Sequence, residues 1–276
     1  MLRVPVEIPA IRLRCPHCQA ASLTIDNTSD HELRCSQCER ATKLSGGIVD
    51  YIGKNERKPR SQAQRLMEAP WLVRVYEGRW FRRNPAICSL LGLGFKKESR
   101  IFRRYSELKG AERVLDVACG PGNHSRKFAK AVPRGIVVGL DLSRPMLEEA
   151  GRRAREQKVR NLFFVRQDAV SLPFEDGSFD VVSCAAGLHL ISPLDKALAE
   201  MHRVLAPSGR LVASVPRRPA GETARKVSAF VEKRLGPHAF APGELENHLR
   251  EAGFENVATV YANRLWQVVG AVKAAS

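Results

Sequence analysis

The chain has 276 residues, with apolar residues at 44% and charged residues at 27%. That composition excludes a disordered chain and allows one large domain with a small module. No apolar run approaches the ~20 residues that cross a bilayer, and the start through Arg14 lacks a signal-peptide pattern, so a cytoplasmic protein is expected. The charge is uneven: the net is +16, but residues 1–52 are neutral, residues 53–110 carry +10 and residues 111–276 carry +6. The excess raises the expectation of an anionic partner and places it in the middle segment.

Residues 1–52 read as a separate module. Cys15-Pro-His-Cys18 and Cys35-Ser-Gln-Cys38 are two C-x2-C pairs with sixteen residues between them. Zinc takes four soft ligands in a tetrahedron, and each pair supplies two thiolates. Ser22 to Ile25 and Glu32 to Arg34 suit two short strands around a polar turn. The pattern is that of a zinc ribbon whose ion replaces a core too small to stand alone. All four positions are filled, so the metal is expected to be structural. His17 inside the first knuckle is read as an exposed side chain. A neutral ribbon suits a platform for a substrate or a docking element for the rest of the chain.

Residues 53–110 read as a basic helical connector. Helical spacing of apolar residues runs over Ser61 to Val75 and Ser99 to Leu108. Trp71, Tyr76 and Trp80 lie among arginines, and Tyr105 closes the second stretch. These aromatics are taken as substrate-binding candidates in a lid or pocket wall. The alternative is a helix packing its rings on the core while its arginines stay solvated.

From Arg113 the pattern becomes alternating strands and helices. Strands are expected at Arg113–Ala118, Gly135–Leu140, Asn161–Arg166, Phe179–Cys184 and Gly209–Val215. Helices are expected at Asn123–Ala131, Pro145–Gln157 and Pro193–Leu205. Such alternation gives a parallel sheet with ligands at the carboxyl ends of its strands. The first strand contains Asp116, and after it comes Gly120-Pro-Gly122, with Ser125 where a dinucleotide fingerprint has its third glycine. A carboxylate here suits a ligand presenting an ammonium group, and the glycines let the backbone approach it. Asp141 ends the second strand and is placed to accept two ribose hydroxyls. Asp168 follows the third and can accept from an adenine amine. The three describe an adenosine joined to an amino acid.

Residues 111–216 resemble a class I S-adenosylmethionine-dependent methyltransferase. The stretches that carry the resemblance are Val114-Leu-Asp-Val-Ala-Cys-Gly-Pro-Gly122, Val138-Gly-Leu-Asp-Leu-Ser143, Arg166-Gln-Asp-Ala169, Leu172-Pro-Phe-Glu-Asp-Gly-Ser-Phe-Asp180 and Glu200-Met-His-Arg-Val-Leu-Ala-Pro-Ser-Gly209. The resemblance implies an α/β Rossmann-like fold with a seven-stranded sheet whose last strand is antiparallel. Glu244 to Ala252 then becomes the last helix, and Glu255 to Tyr261 and Leu265 to Val272 the closing strands. It implies that Asp116, Gly120 and Gly122 hold the methionine part of the donor and Asp141 the ribose. Leu142 and Met146 would flank the adenine, with Asp168 and the Ala169 backbone on its edge. Cys184, at the end of the fourth strand, joins the cofactor-binding candidates, although an isolated cysteine is also an ordinary small core residue.

S-adenosylmethionine is an activated donor, so the protein mainly aligns the reactants and excludes water. His189, in the loop after the fourth strand, is the catalytic candidate, with a structural capping role as the alternative; His124 behind the glycine turn is weaker. The layout of a ribbon before the domain is similar to bacterial 23S rRNA guanine-N1 methyltransferases. However, Gly187-Leu-His-Leu190 resembles the small-molecule branch, and the ribbon is neutral. A small-molecule or lipid-like acceptor is therefore preferred, with RNA bound through the basic connector as the alternative. A third reading, a non-catalytic module that keeps the donor as a structural ligand, fits poorly with intact donor motifs.

Overall fold

The computed structural model describes residues 11–15, 17–18, 20–25, 32–45, 47–52, 94–222, 229–230, 234 and 238–275. The expected helix over Ser61 to Val75 and the residues Trp71, Tyr76 and Trp80 lie outside them, as does Cys88.

The cysteine-bearing segment forms β1 (Ile11–Arg14), β2 (Ala21–Ile25), β3 (Glu32–Arg34), β4 (Ala41–Ser45) and β5 (Ile48–Asp50). Helix α1 (Phe95–Tyr105) follows. It starts four residues before the expected Ser99, because Gly94 serves as its N-cap and Phe95 opens its buried stripe with Glu98 and Phe102. Then come β6 (Arg113–Val117), α2 (Asn123–Ala131), β7 (Ile136–Asp141), α3 (Arg144–Glu156), β8 (Leu162–Arg166) and β9 (Phe179–Ala185). The chain closes with α4 (Leu194–Val204), β10 (Leu205–Pro216), α5 (Glu244–Glu251), β11 (Glu255–Ala262) and β12 (Trp266–Val272).

The sheet order is β11-β12-β10-β9-β6-β7-β8-β5-β4-β3. Strands β8, β7, β6, β9 and β10 are parallel, and β12 runs antiparallel between β10 and β11. The seven strands expected from Arg113 onward are present, but the sheet does not stop at them. Strand β5 pairs in parallel with β8 as an eighth strand, and β4 and β3 continue it. The count of seven comes from the family resemblance, and an Ile-Val-Asp strand of three residues is too short to be told from a loop by periodicity.

Both faces of the sheet are covered, so its central strands are apolar on both sides. Successive residues divide between two cores: Val114 and Val137 pack with Phe102, Phe128 and Leu147 from α1, α2 and α3. Leu115 and Val138 pack with Leu198, Met201 and Leu249 from α4 and α5, and Ile11, Leu13, Leu33, Cys15 and Cys35 join this second core. The cysteine segment is thus seated on the main domain. Among the described residues no helix is long and apolar enough to cross a membrane.

Candidate functional site

Asp116 sits near the end of β6, paired in the ladder with Ser183 on β9 and with Gly139 on β7. It is 1% exposed. Its two oxygens accept from Ser125 Oγ at 2.5 Å and Ser183 Oγ at 2.5 Å. Burial pushes its pKa up; the nearby His124 and the two serine hydroxyls pull the other way. Its ladder partner Gly139 lets the Phe164 ring pack close, since a Cβ there would come within 2.9 Å of that ring.

Beyond β6 the chain turns back through left-handed backbone at Ala118, Gly120 and Gly122, with φ of 53°, 53° and 76°. Asp141, at the end of β7, ties this turn down: its Oδ2 accepts the Gly120 amide at 2.8 Å and its Oδ1 the Ser143 amide at 2.8 Å. Burial also raises the pKa of Asp141, opposed by these backbone donors. Ser143 then caps α3 by accepting the Met146 amide. Asp168, just past β8, is buried and accepts the Val170 amide at 3.2 Å.

These ends converge on one cleft of about 150 Å³. Of the residues expected from the sequence, Asp116, Gly120, Asp141, Leu142, Met146, Asp168 and Ala169 line it. Its far wall is the end of β9 and the stretch beyond it, Ala185 to Gly187 with Leu190 and Ile191.

Four expected residues lie off the cleft wall. Gly122 is the N-cap of α2 and shapes the turn; a Cβ there would meet Ala150 at 3.1 Å. Cys184 is fully buried beneath Gly187, where a Cβ would come within 2.7 Å of its sulfur, and burial pushes its thiol well up. His189 faces away, its ring edge-on to Trp266 at 6.5 Å, and its carbonyl accepts the His238 amide at 3.1 Å. Tyr105 packs over Gly270 on β12, with the Arg210 guanidinium 5.8 Å from its ring.

The structure also brings in residues that sequence reading did not assign. Ser125 and Ser183 hold Asp116; the signal for Ser183 was one hydroxyl within the apolar stretch Val181 to Ala185 of β9. Glu98, 1% exposed, lies 3.3 Å from Nε2 of His124, and His124 lines the cleft. Its signal was an acid in register with Phe95 and Phe102 on the apolar stripe of α1. Arg166 donates to the Leu142 carbonyl at 3.1 Å and to Asp50 at 3.2 Å, linking β5 to the cleft.

The four thiols of Cys15, Cys18, Cys35 and Cys38 lie within 4.8 Å of one another. The pairs Cys15–Cys38 and Cys18–Cys35 are each 3.7 Å apart at sulfur. A tetrahedron with metal–sulfur bonds of about 2.3 Å has edges of about 3.8 Å, so the set fits one zinc ion with no open position. Amides of His17, Gln37 and Cys38 point at the sulfurs of Cys15 and Cys35, at 3.3–3.4 Å. The His17 side chain is exposed.

The family model described as "Methyltransferase domain" matches residues 114–209. The demethylmenaquinone methyltransferase of Thermus thermophilus is 42% identical over 123 residues, covering 44% of this chain and 56% of that protein. The ubiquinone/menaquinone biosynthesis C-methyltransferase UbiE of Ruegeria sp. is 44% identical over 102 residues, covering 37% and 41%. The chain spans about half the length of the curated relatives it matches. Among solved structures, Haemonchus contortus phosphoethanolamine N-methyltransferase 2 with S-adenosyl-L-methionine aligns with a TM-score of 0.58 at 19% identity, over 72% of this chain and 59% of that one. A methyltransferase from Aquifex aeolicus aligns with a TM-score of 0.57 at 20% identity, over 74% and 97%. These two establish the fold. The RNA alternative finds no support among the relatives named here.

Proposed function

We propose that this chain, whose residues 114–209 carry a class I S-adenosylmethionine-dependent methyltransferase domain, moves a methyl group onto a small lipid-like acceptor of the quinol type. The observation that carries the donor half is the row of Asp116, Asp141 and Asp168 on one cleft, at the ends of three neighbouring strands. When bound, the donor supplies an activated methyl on a sulfonium. Asp116 meets its ammonium group, and the glycine turn lets its amino-acid part lie against the backbone. Asp141 spends one lone pair per oxygen on Gly120 and Ser143, which leaves acceptor capacity for two ribose hydroxyls. Leu142 and Met146 flank the base, and Asp168 with the Ala169 backbone reads its edge. Gly122 and Cys184 support these positions from outside the wall.

The acceptor half rests on two supports. The wall at the end of β9 and beyond it is apolar, built of Ala185, Ala186, Leu190 and Ile191. The relatives cited above are named for quinone methylation. Residues 1–52 are read as a zinc ribbon with a structural ion, residues 53–110 as a connector that covers the acceptor, and residues 111–276 as the catalytic domain. Trp71, Tyr76 and Trp80 stay acceptor-binding candidates on the connector. His189 and Tyr105 would reach the acceptor only by turning from their present packing. Buried free thiols at Cys119 and Cys184 suit the reducing cytoplasm.

Titration calorimetry with S-adenosylhomocysteine and a methyl-transfer assay on demethylmenaquinol test the two halves. Saturable one-site binding and methylated quinol are expected. Absence of binding would overturn the donor assignment. Methylation of ribosomal RNA instead of quinol would overturn the acceptor assignment.

A further inference from the structure

Methylating a quinol ring carbon or a hydroxyl removes a proton from the acceptor, so a base beside the methyl group is needed. Among the described residues that line the cleft, the side chains that ionise are Asp116, Asp141, Asp168, Cys119 and His124. The three carboxylates are taken by the donor, and burial holds the Cys119 thiol protonated. Among these described residues His124 is the one basic side chain on the wall. We propose that His124, oriented by Glu98, is the catalytic base of this cleft. The inference rests on the methyl-transfer reading above.

The geometry is that of a carboxylate–imidazole pair held on three sides. Nε2 of His124 lies 3.3 Å from Glu98 Oε2. The ring is gripped by Phe95, edge-on with centroids 5.0 Å apart, and by Phe102 at 4.9 Å. The second oxygen of Glu98 accepts from Ser214 Oγ at 2.7 Å. Ser214 Oγ in turn accepts the Ala186 amide at 3.1 Å. Ala186 opens the acceptor wall and has a φ of +57°, which a non-glycine residue holds only under constraint. One buried carboxylate thus fixes both the imidazole and the wall across from it.

Glu98 approaches the imidazole from α1, and Asp116 lies near it on β6. Ser214, from β10, is uncharged. Lys127 of the same helix turns away, bonded to Ser99 and stacked on Phe95. With Nε2–H donating to Glu98, the other ring nitrogen takes the proton. In the step itself the acceptor's new bond to the methyl carbon forms as the carbon–sulfur bond breaks, its electron pair stays on sulfur, and the acceptor's proton passes to His124. Solvent removes that proton after product release. A buried carboxylate beside a histidine that becomes charged in the reaction offsets the cost of a cation in a dry site.

The test uses the full chain with demethylmenaquinol as acceptor, and calorimetry with S-adenosylhomocysteine as the binding readout. His124→Gln is expected to lower kcat by about 100-fold or more, the ordinary worth of general base catalysis. Its S-adenosylhomocysteine Kd should stay within about twofold of wild type. Wild-type kcat is expected to rise with pH as a base loses its proton, and the variant should lose that rise. Glu98→Gln keeps the size and the Ser214 bond, and should lower kcat less and alter the same pH limb. It carries the test if His124→Gln does not fold. An unchanged kcat in a folded His124→Gln or Glu98→Gln would overturn the proposal. So would weakened S-adenosylhomocysteine binding with kcat preserved, which would make His124 a donor-holding residue. Wild-type chain that binds S-adenosylhomocysteine but leaves demethylmenaquinol unmethylated would overturn the acceptor reading, and this base with it.

Discussion

The carboxylate of Asp141 accepts the Gly120 amide at 2.8 Å, so the end of β7 and the turn after β6 are one unit. Asp141 therefore has a structural role as well as the proposed ribose contact. Asp141→Ala is expected to weaken S-adenosylhomocysteine binding by more than tenfold. It should also lower stability by about 1–3 kcal/mol, because the Gly120 and Ser143 amides lose their acceptor. Calorimetry and thermal melts read the two effects separately. An unchanged Kd would remove the ribose assignment even if the melt falls.

Asp116 should make donor binding and stability pull in opposite directions. Burial raises its pKa, so the folded apo protein binds more protons than the unfolded chain in the range just above ordinary carboxylate values. Stability then falls as pH rises through that window, and the loss persists above it. Asp116→Asn removes this penalty and still bonds Ser125 and Ser183. Its apo melting temperature relative to wild type should therefore increase with pH across the acidic range. Donor affinity should drop in the variant at neutral pH, and in wild type as Asp116 protonates on acidification. Parallel wild-type and variant melting curves from pH 4 to pH 8 would contradict this.

Zinc should stabilise the whole chain rather than a detached module. Cys15 and Cys35 belong to the same apolar core as Val165 and Phe174. The Arg14 amide donates to the Pro173 carbonyl at 2.8 Å, and the Tyr51 hydroxyl to the Arg14 carbonyl at 2.6 Å. Metal analysis should find one zinc per chain. Chelation, or Cys35→Ser, should lower a single cooperative melt. A separate early transition, with the main one untouched, would show that the ribbon is energetically independent.

Tyr105 is a packing residue in this structure, and Gly270 is its seat. A Cβ at Gly270 would come within 2.1–2.5 Å of the Tyr105 ring. Gly270→Ala is expected to cost about 1–3 kcal/mol by overpacking. Adding Tyr105→Ala should recover part of that loss, so the double variant melts above the sum of the singles. Strict additivity would mean the ring does not rest there.

The parallel strands between Arg113 and Val215 were legible because each is a largely apolar run with Gly, Pro or Asp near its ends. The cleft was legible because its carboxylates stand at or beside strand ends, where position alone decides direction. What escaped has a common cause. The positions of His189 and Tyr105 were read from loop and helix placement, but the direction of each side chain is decided by Trp266 and Gly270, far away in sequence. Glu98 was missed because the helix was started one residue after it, and its partners His124 and Ser214 lie 26 and 116 residues on. Long-range pairing of this kind leaves only a faint local trace, a charged residue on an apolar stripe.

The parallel pairing of β5 with β8 bears on solubility. Without Ile48–Asp50, the outer side of β8 would present a row of unmatched peptide groups along an otherwise apolar strand, a template for another chain to add to. Removing the first 52 residues would then leave a core that folds but self-associates, and light scattering would detect the loss before any assay of catalysis did.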